Sequence, residues 1–132
     1  MASPYRKRVE TMPHILLVDD DDAVRRALTR YLQLHGHVVT AVPDGRVALD
    51  HVGPHTDIVV TDLNMPGMSG VKLTAALRGR GIRVPVILMS GGDLDPEEVD
   101  RIDYLLRKPF GPRDLTDLID VALRRSSRRD MG

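Results

Sequence analysis

"DIVVTDLNMPGMSG", residues 57–70, is the stretch whose reading decides the fold. The run Ile58-Val59-Val60-Thr61 is apolar and β-branched, which favours a strand, and it has no polar alternation, which favours a strand covered on both faces. It ends in a lone acid, Asp62, and then turns through Asn64, Pro66, Gly67 and Gly70. Turn formers of this kind punctuate a chain. "SGVKLTAALRGRG" (69–81) follows with helical spacing and stops at glycines. A buried strand that delivers a carboxylate to its tip and then enters a helix is one β-turn-α unit of a parallel sheet.

The same unit recurs outward in both directions. Strands are read at "HILLVD" (14–19), "HVVTAV" (37–42), "VPVILMS" (84–90) and "DYLLR" (103–107). A helix after the first strand carries Ala23, Val24, Ala27, Leu28, Tyr31, Leu32 and Leu34 on its apolar spacing, with acids in its first turn and Gly36 past its end. Further helices are read at 43–53, at 95–102 (about two turns) and at 111–125, the last with Pro112 near its start and arginines at its end. Five strands alternating with five helices predict an α/β fold with a parallel sheet covered on both faces. The arm at 1–12 reads as basic and flexible, the domain as 13–125, and "RRSSRRDMG" as a frayed tail, disordered over 126–132.

Whole-chain numbers bound the function. At 132 residues and 42 % hydrophobic content, the chain suits one domain with one largely aliphatic core. Nineteen basic and nineteen acidic residues cancel, so no global field selects nucleic acid or an acidic membrane. With no cysteine, disulfides, thiolate metal sites and cysteine nucleophiles are excluded, which fits a cytoplasmic protein. No apolar run approaches the roughly 18 residues of a membrane span, and no apolar stretch backs the basic N-terminus as a secretory signal would.

In open parallel sheets ligands bind beyond the carboxyl ends of the strands. Strand one ends in Asp19-Asp20-Asp21, strand three in Asp62, strand four in Ser90-Gly91-Gly92 and strand five at Lys108-Pro109; strand two ends at Pro43 with nothing reactive. Clustered carboxylates repel, and a divalent cation removes the conflict. Oxygen donors with no cysteine or histidine beside them point to Mg²⁺ or Mn²⁺. A cation, a carboxylate nucleophile, an ammonium and a hydroxyl together suit phosphoryl transfer. Each residue also has a plainer reading. Asp62 alone is a solvated turn acid, the acids at 19–22 are a helix start favoured by the macrodipole, Ser90 is a strand-end hydroxyl and Lys108 a surface lysine. The five histidines read as surface or capping residues, Phe110 as packing, and "RRSSRR" as a solvated helix end.

"ILLVDDDDAVRRAL", "VVTDLNMPGMSG", "VILMSG" and "RKPF", taken together in order and spacing, resemble the receiver domain of two-component response regulators, here of the single-domain type, over about residues 13–125. The resemblance implies a flavodoxin-like (βα)₅ fold, a doubly wound parallel five-stranded sheet of order 2-1-3-4-5. It also implies a phosphoryl donor, either a sensor histidine kinase or a histidine phosphotransfer protein. By position Asp62 looks like the phosphoacceptor, and Asp19 and Asp20 like the acidic pair that holds Mg²⁺ with Asp62. Asn64 matches the residue whose backbone carbonyl is a metal ligand, and Ser90 and Lys108 match the phosphoryl-binding switch residues. Pro109 should follow a cis bond, and Asp21 should cap the helix rather than bind metal.

Three features depart from the family's pattern. Ser90 and Lys108 stand 18 positions apart, about one helical turn fewer than usual, so the fourth helix should be short or irregular. Leu105 occupies the place of the switch aromatic, and Tyr104 beside it should point to the opposite face. Gly91-Gly92 opens the loop after the hydroxyl.

The expected function is a phosphorylation-dependent signalling module, not an enzyme beyond assisting its own phosphoryl transfer and hydrolysis. The residues from 126 onward are read as too few for a DNA-binding output domain, so output is expected to run through an unidentified partner protein, a homodimer formed on phosphorylation, or onward relay. Met1 and the non-helical ending are read as a complete protein, with a fragment of a longer regulator or hybrid kinase as the other reading. The alternative function is a receiver-fold interaction scaffold with an idle switch. A haloacid-dehalogenase-type hydrolase also uses a strand-tip aspartate, but it wants a second acid where this chain has Asn64.

Overall fold

The computed structural model describes residues 12–131. Its elements alternate as β1 (His14–Val18), α1 (Asp22–Leu34), β2 (Val38–Val42), α2 (Gly45–His51), β3 (Ile58–Asp62), α3 (Gly70–Gly79), β4 (Val86–Ser90), α4 (Pro96–Val99), β5 (Tyr104–Arg107) and α5 (Pro112–Met131). All strand pairs are parallel, in the order β2-β1-β3-β4-β5. This is the flavodoxin-like sheet expected from the sequence. Because the chain runs one way from β1 to β2 and the other way from β3 onward, the order reverses between β1 and β3, which creates a crevice at their carboxyl ends.

Each strand divides its side chains between two cores, as alternation in a pleated strand requires. Leu16, Val18, Val59, Val86 and Leu88 pack with Ala48 of α2 and Val71, Leu73 and Leu77 of α3. Ile15, Leu17, Ile58, Val60, Ile87 and Met89 pack with Leu32 of α1 and Leu115, Ile119 and Ala122 of α5. Side-chain oxygens cap three helix starts: Asp21 accepts from the Val24 N–H, Asp44 from Val47 and Ser69 from Lys72. Among the described residues no helix is long and apolar enough to cross a membrane.

The structure departs from the sequence reading in four places. Helix α5 continues to Met131, where the sequence reading ended it at 125 and placed a disordered, non-helical tail at 126–132. Arg and Ser form helices well enough once a helix is running, and the preceding turns are anchored by Leu115, Ile119 and Ala122. Helix α4 is only Pro96–Val99, shorter than the 95–102 read from sequence. Strand β4 begins at Val86 rather than at 84. His37 is buried rather than at the surface, and its Nδ1 has no hydrogen-bond partner. The expected arm at 1–12 lies, but for Met12, outside the described residues.

Candidate functional site

Strand register decides which residues meet. Val18 pairs with Thr61, so Asp19 leaves β1 beside Asp62, the last residue of β3. Asp62 pairs with Met89, and Ser90 with Arg107, so the ends of β4 and β5 complete the same edge. Asp19, Asp20 and Asp62 each offer a carboxylate oxygen, all within 4.8 Å of one another. The Lys108 ammonium donates to Asp62 Oδ1 at 3.2 Å.

Each member is held by its neighbours. Asp19 is 1 % exposed and Asp62 8 %, while Asp20 is exposed. Asp19 Oδ1 accepts from the Asp21 N–H at 2.9 Å. Arg25 reaches back from α1 to donate to the Asp19 carbonyl at 2.8 Å and also pairs with Asp22. That clamp fixes the acidic loop, and no part of the sequence pattern marked Arg25 out; its i,i+3 spacing from Asp22 was the only available signal. Thr61 Oγ1 donates to the Asp62 carbonyl.

Behind Asp62 the turn is tight. A Cβ on Gly70 would overlap Leu88 Cδ2 and stand 2.6 Å from the Asp62 carbonyl oxygen, so only glycine lets α3 start this close to the tip of β3. Gly67, at φ 80°, supplies the left-handed turn.

Burial is the largest influence on Asp19 and raises its carboxyl above the ordinary 3.8; the Asp21 N–H opposes this, Asp62 adds to it, Lys108 opposes it and Asp20 adds to it. Asp19 Oδ2 is also buried with no hydrogen-bond partner. An orphaned carboxylate oxygen beside two further acids is a donor set that fits a hard divalent cation such as Mg²⁺. Asn64 stands exposed two residues beyond Asp62 in the β3–α3 turn.

On the other side of the crevice, Ser90 is buried and its hydroxyl is engaged locally. It donates to the Gly92 carbonyl at 3.1 Å and accepts from the Gly92 N–H at 3.3 Å. The Lys108 N–H donates to the Ser90 carbonyl at 2.8 Å, and the Lys108–Pro109 bond is cis. Leu105 packs on the α2/α3 side of the sheet with Leu94 and Ile102, whereas Tyr104 faces the α1/α5 side. The structure thus brings together Asp19, Asp20, Asp62, Ser90 and Lys108, and leaves Tyr104 and Leu105 on opposite faces.

A doubly wound sheet with an acidic trio and a strand-tip lysine at its switch point defines a receiver-type signalling domain. The chain belongs to the response regulator receiver domain family, whose model matches residues 15–120. It is 37 % identical over 127 residues to the regulatory protein VirG of Agrobacterium fabrum, covering 90 % of this chain and 49 % of that protein. It is 37 % identical over 119 residues to the two-component response regulator PhoP of Pseudomonas aeruginosa, covering 86 % and 52 % respectively. The chain therefore spans about half the length of these relatives. Among solved structures, the Vibrio cholerae chemotaxis protein CheY4 superposes with a TM-score of 0.78 at 28 % identity, covering 86 % of this chain and all of that one.

Proposed function

We propose that this receiver domain is a phosphorylation-dependent signalling module whose acceptor is Asp62. The observation that carries the reading is the Lys108–Asp62 contact of 3.2 Å beside the acidic trio. The donor is a phosphohistidine, on a sensor histidine kinase or a histidine phosphotransfer protein in the cytoplasm. An Asp62 carboxylate oxygen attacks phosphorus; the O–P bond forms as the P–N bond breaks, and the bonding pair leaves with the imidazole nitrogen. The Lys108 ammonium stabilises charge on the phosphoryl oxygens. Asp19, Asp20, Asp62 and the Asn64 carbonyl would hold Mg²⁺ or Mn²⁺, which would supply positive charge against the charge of the transferring phosphoryl group. Ser90 binds a phosphoryl oxygen only by leaving Gly92, and that exchange drags the Gly91-Gly92 loop and shifts α4, β5 and α5 toward a second packing. Output then passes to a partner protein or a homodimer. The domain turns over nothing except its own phosphoryl group.

The placement of Leu105 and Tyr104 and the single turn of α4 favour a second reading, a phosphorylation-independent scaffold with an idle switch. Incubation with Mg²⁺ and acetyl phosphate, beside Asp62→Asn, separates the two by intact mass. The switch reading expects one phosphoryl mass on the wild type alone. A beryllofluoride-induced change in hydrodynamic size marks dimerisation as the output, and an unchanged size marks a partner. If no adduct forms at any Mg²⁺ concentration, the scaffold is the better account.

A further inference from the structure

The opposite edge of the sheet carries a second concavity. The α3–β4 loop, the starts of β4 and β5, and the second half of α5 enclose a cleft of about 650 Å³. Three arginines line it (Arg78, Arg83 and Arg125) against one acid, Asp103. In a chain of zero net charge, that is a local excess of two positive charges.

The acid is already committed. Asp103 Oδ2 accepts from Arg78 Nη2 and from the Val86 N–H. Arg83 and Arg125 have no ion-pair partner among the described residues. Two of the three guanidinium groups are also in contact with neighbouring groups of the cleft. Arg78 is fixed by the Ile82 carbonyl at 2.8 Å and by Asp103, and only two of its five N–H donors are thereby named. The Arg125 guanidinium lies over the Tyr104 ring, 5.9 Å from its centroid, a cation–π contact that holds the charge at this wall of the cleft. Ser126 adds a hydroxyl to the wall.

Preoriented planar forks with spare donors suit the oxygens of a phosphate. The space far exceeds inorganic phosphate and falls within the roughly 300–1,000 Å³ of small-molecule sites. Tyr104 and Arg125 both line the cleft, and an aromatic ring or a guanidinium plane can stack on a heterocycle. We infer that this cleft binds a nucleotide-sized organic phosphate, with Arg78, Arg83 and Arg125 on the phosphate and Tyr104 against the ring. The site is remote from Asp62 and does not depend on the chemistry proposed there.

The test is calorimetric titration of the full chain with AMP in EDTA, so that no Mg²⁺-dependent binding at Asp62 contributes. Adenosine and inorganic pyrophosphate serve as the two comparison arms. The inference expects saturable one-to-one binding of AMP, none of adenosine, and weaker binding of pyrophosphate. Arg83→Ala and Arg125→Ala should each weaken AMP by about tenfold or more, the effect of losing a hydrogen bond to a charged group, and Asp62→Asn should leave it unchanged. Both arginines sit at the surface, so circular dichroism should show both variants folded; Arg78 is left intact because it braces the start of β4. Failure of AMP to saturate, or full affinity in the Arg83→Ala, Arg125→Ala double variant, overturns the inference. Pyrophosphate binding as tightly as AMP overturns the nucleotide assignment. So does an acidic peptide that binds the cleft where AMP does not.

Discussion

The two sides of the crevice are built differently. On the β1–β3 side the acids are pinned: Asp19 is buried and clamped through Asp21 and Arg25, and Asp62 is backed by a turn that only Gly70 fits. On the β4–β5 side the hydroxyl sits beside Gly91 and Gly92, neither of which has a positive φ. A Cβ on Gly91 would meet only Lys108 carbons at 3.8 Å or more, and one on Gly92 would meet nothing within 4 Å. A nucleophile gains from a fixed approach, whereas a group that must change partners needs room. Two glycine-containing turns of similar sequence thus serve opposite ends, one closing space and the other leaving it open.

Gly70→Ala is the hardest blow to the pinned side. Overlap with Leu88 and the Asp62 carbonyl should cost on the order of 3 kcal/mol in urea unfolding and slow acetyl phosphate labelling with it; a variant as stable as wild type would mean that the turn is not tight. Lys108→Gln removes the ammonium across the crevice and should slow Asp62 labelling by about a hundredfold, with little change in melting temperature because the lysine is 38 % exposed.

Asp19→Asn tests the acidic trio. A carboxyl whose folded pKa is raised contributes stability below its unfolded value of 3.8 and loses it as pH rises through the folded value, so at neutral pH its ionisation works against folding. The variant should therefore melt higher than wild type in EDTA, and the further rise that Mg²⁺ gives the wild type should vanish.

His37 has the mirror-image sign. Burial is the main cause holding its pKa below 6.5, opposed by Asp120 and assisted by His35. A lowered histidine contributes stability that is complete above 6.5 and lost as pH falls through the folded value. The melting temperature should drop from about pH 7.5 to about pH 5.5, and His37→Phe should flatten that slope. Smallest of all, Gly91→Ala should change stability by no more than about 0.5 kcal/mol, and a large loss there would erase the contrast between the two sides.

Much of this was legible in the sequence because each strand is an uninterrupted apolar run ending in a polar residue. That pattern predicted five parallel strands with Asp19, Asp20, Asp62, Ser90 and Lys108 at their ends; that these ends meet followed only from the strand order the family resemblance implied, which the sheet has. Alternation within a strand was enough to put Tyr104 and Leu105 on opposite faces. What escaped has no periodic signal. The Arg25 clamp depends on a side chain folding back across a helix start, and the steric demand on Gly70 depends on how closely α3 approaches β3. His37 looked like a surface residue because burial at the start of an edge strand depends on what α1 and α5 cover. The end of α5 was misread because Ser and Arg carry little stop signal of their own. The arginine cleft draws on four separate segments that only the fold brings together.

The central claim is that the pinned acid at the tip of β3 is the acceptor. Borohydride reduction of the acetyl phosphate-treated protein, followed by peptide mapping, tests it most directly, because an aspartyl phosphate is reduced to homoserine. The account predicts homoserine at position 62 alone. Homoserine at position 19 or 20, or at no position in protein that carries a phosphoryl mass, would contradict it.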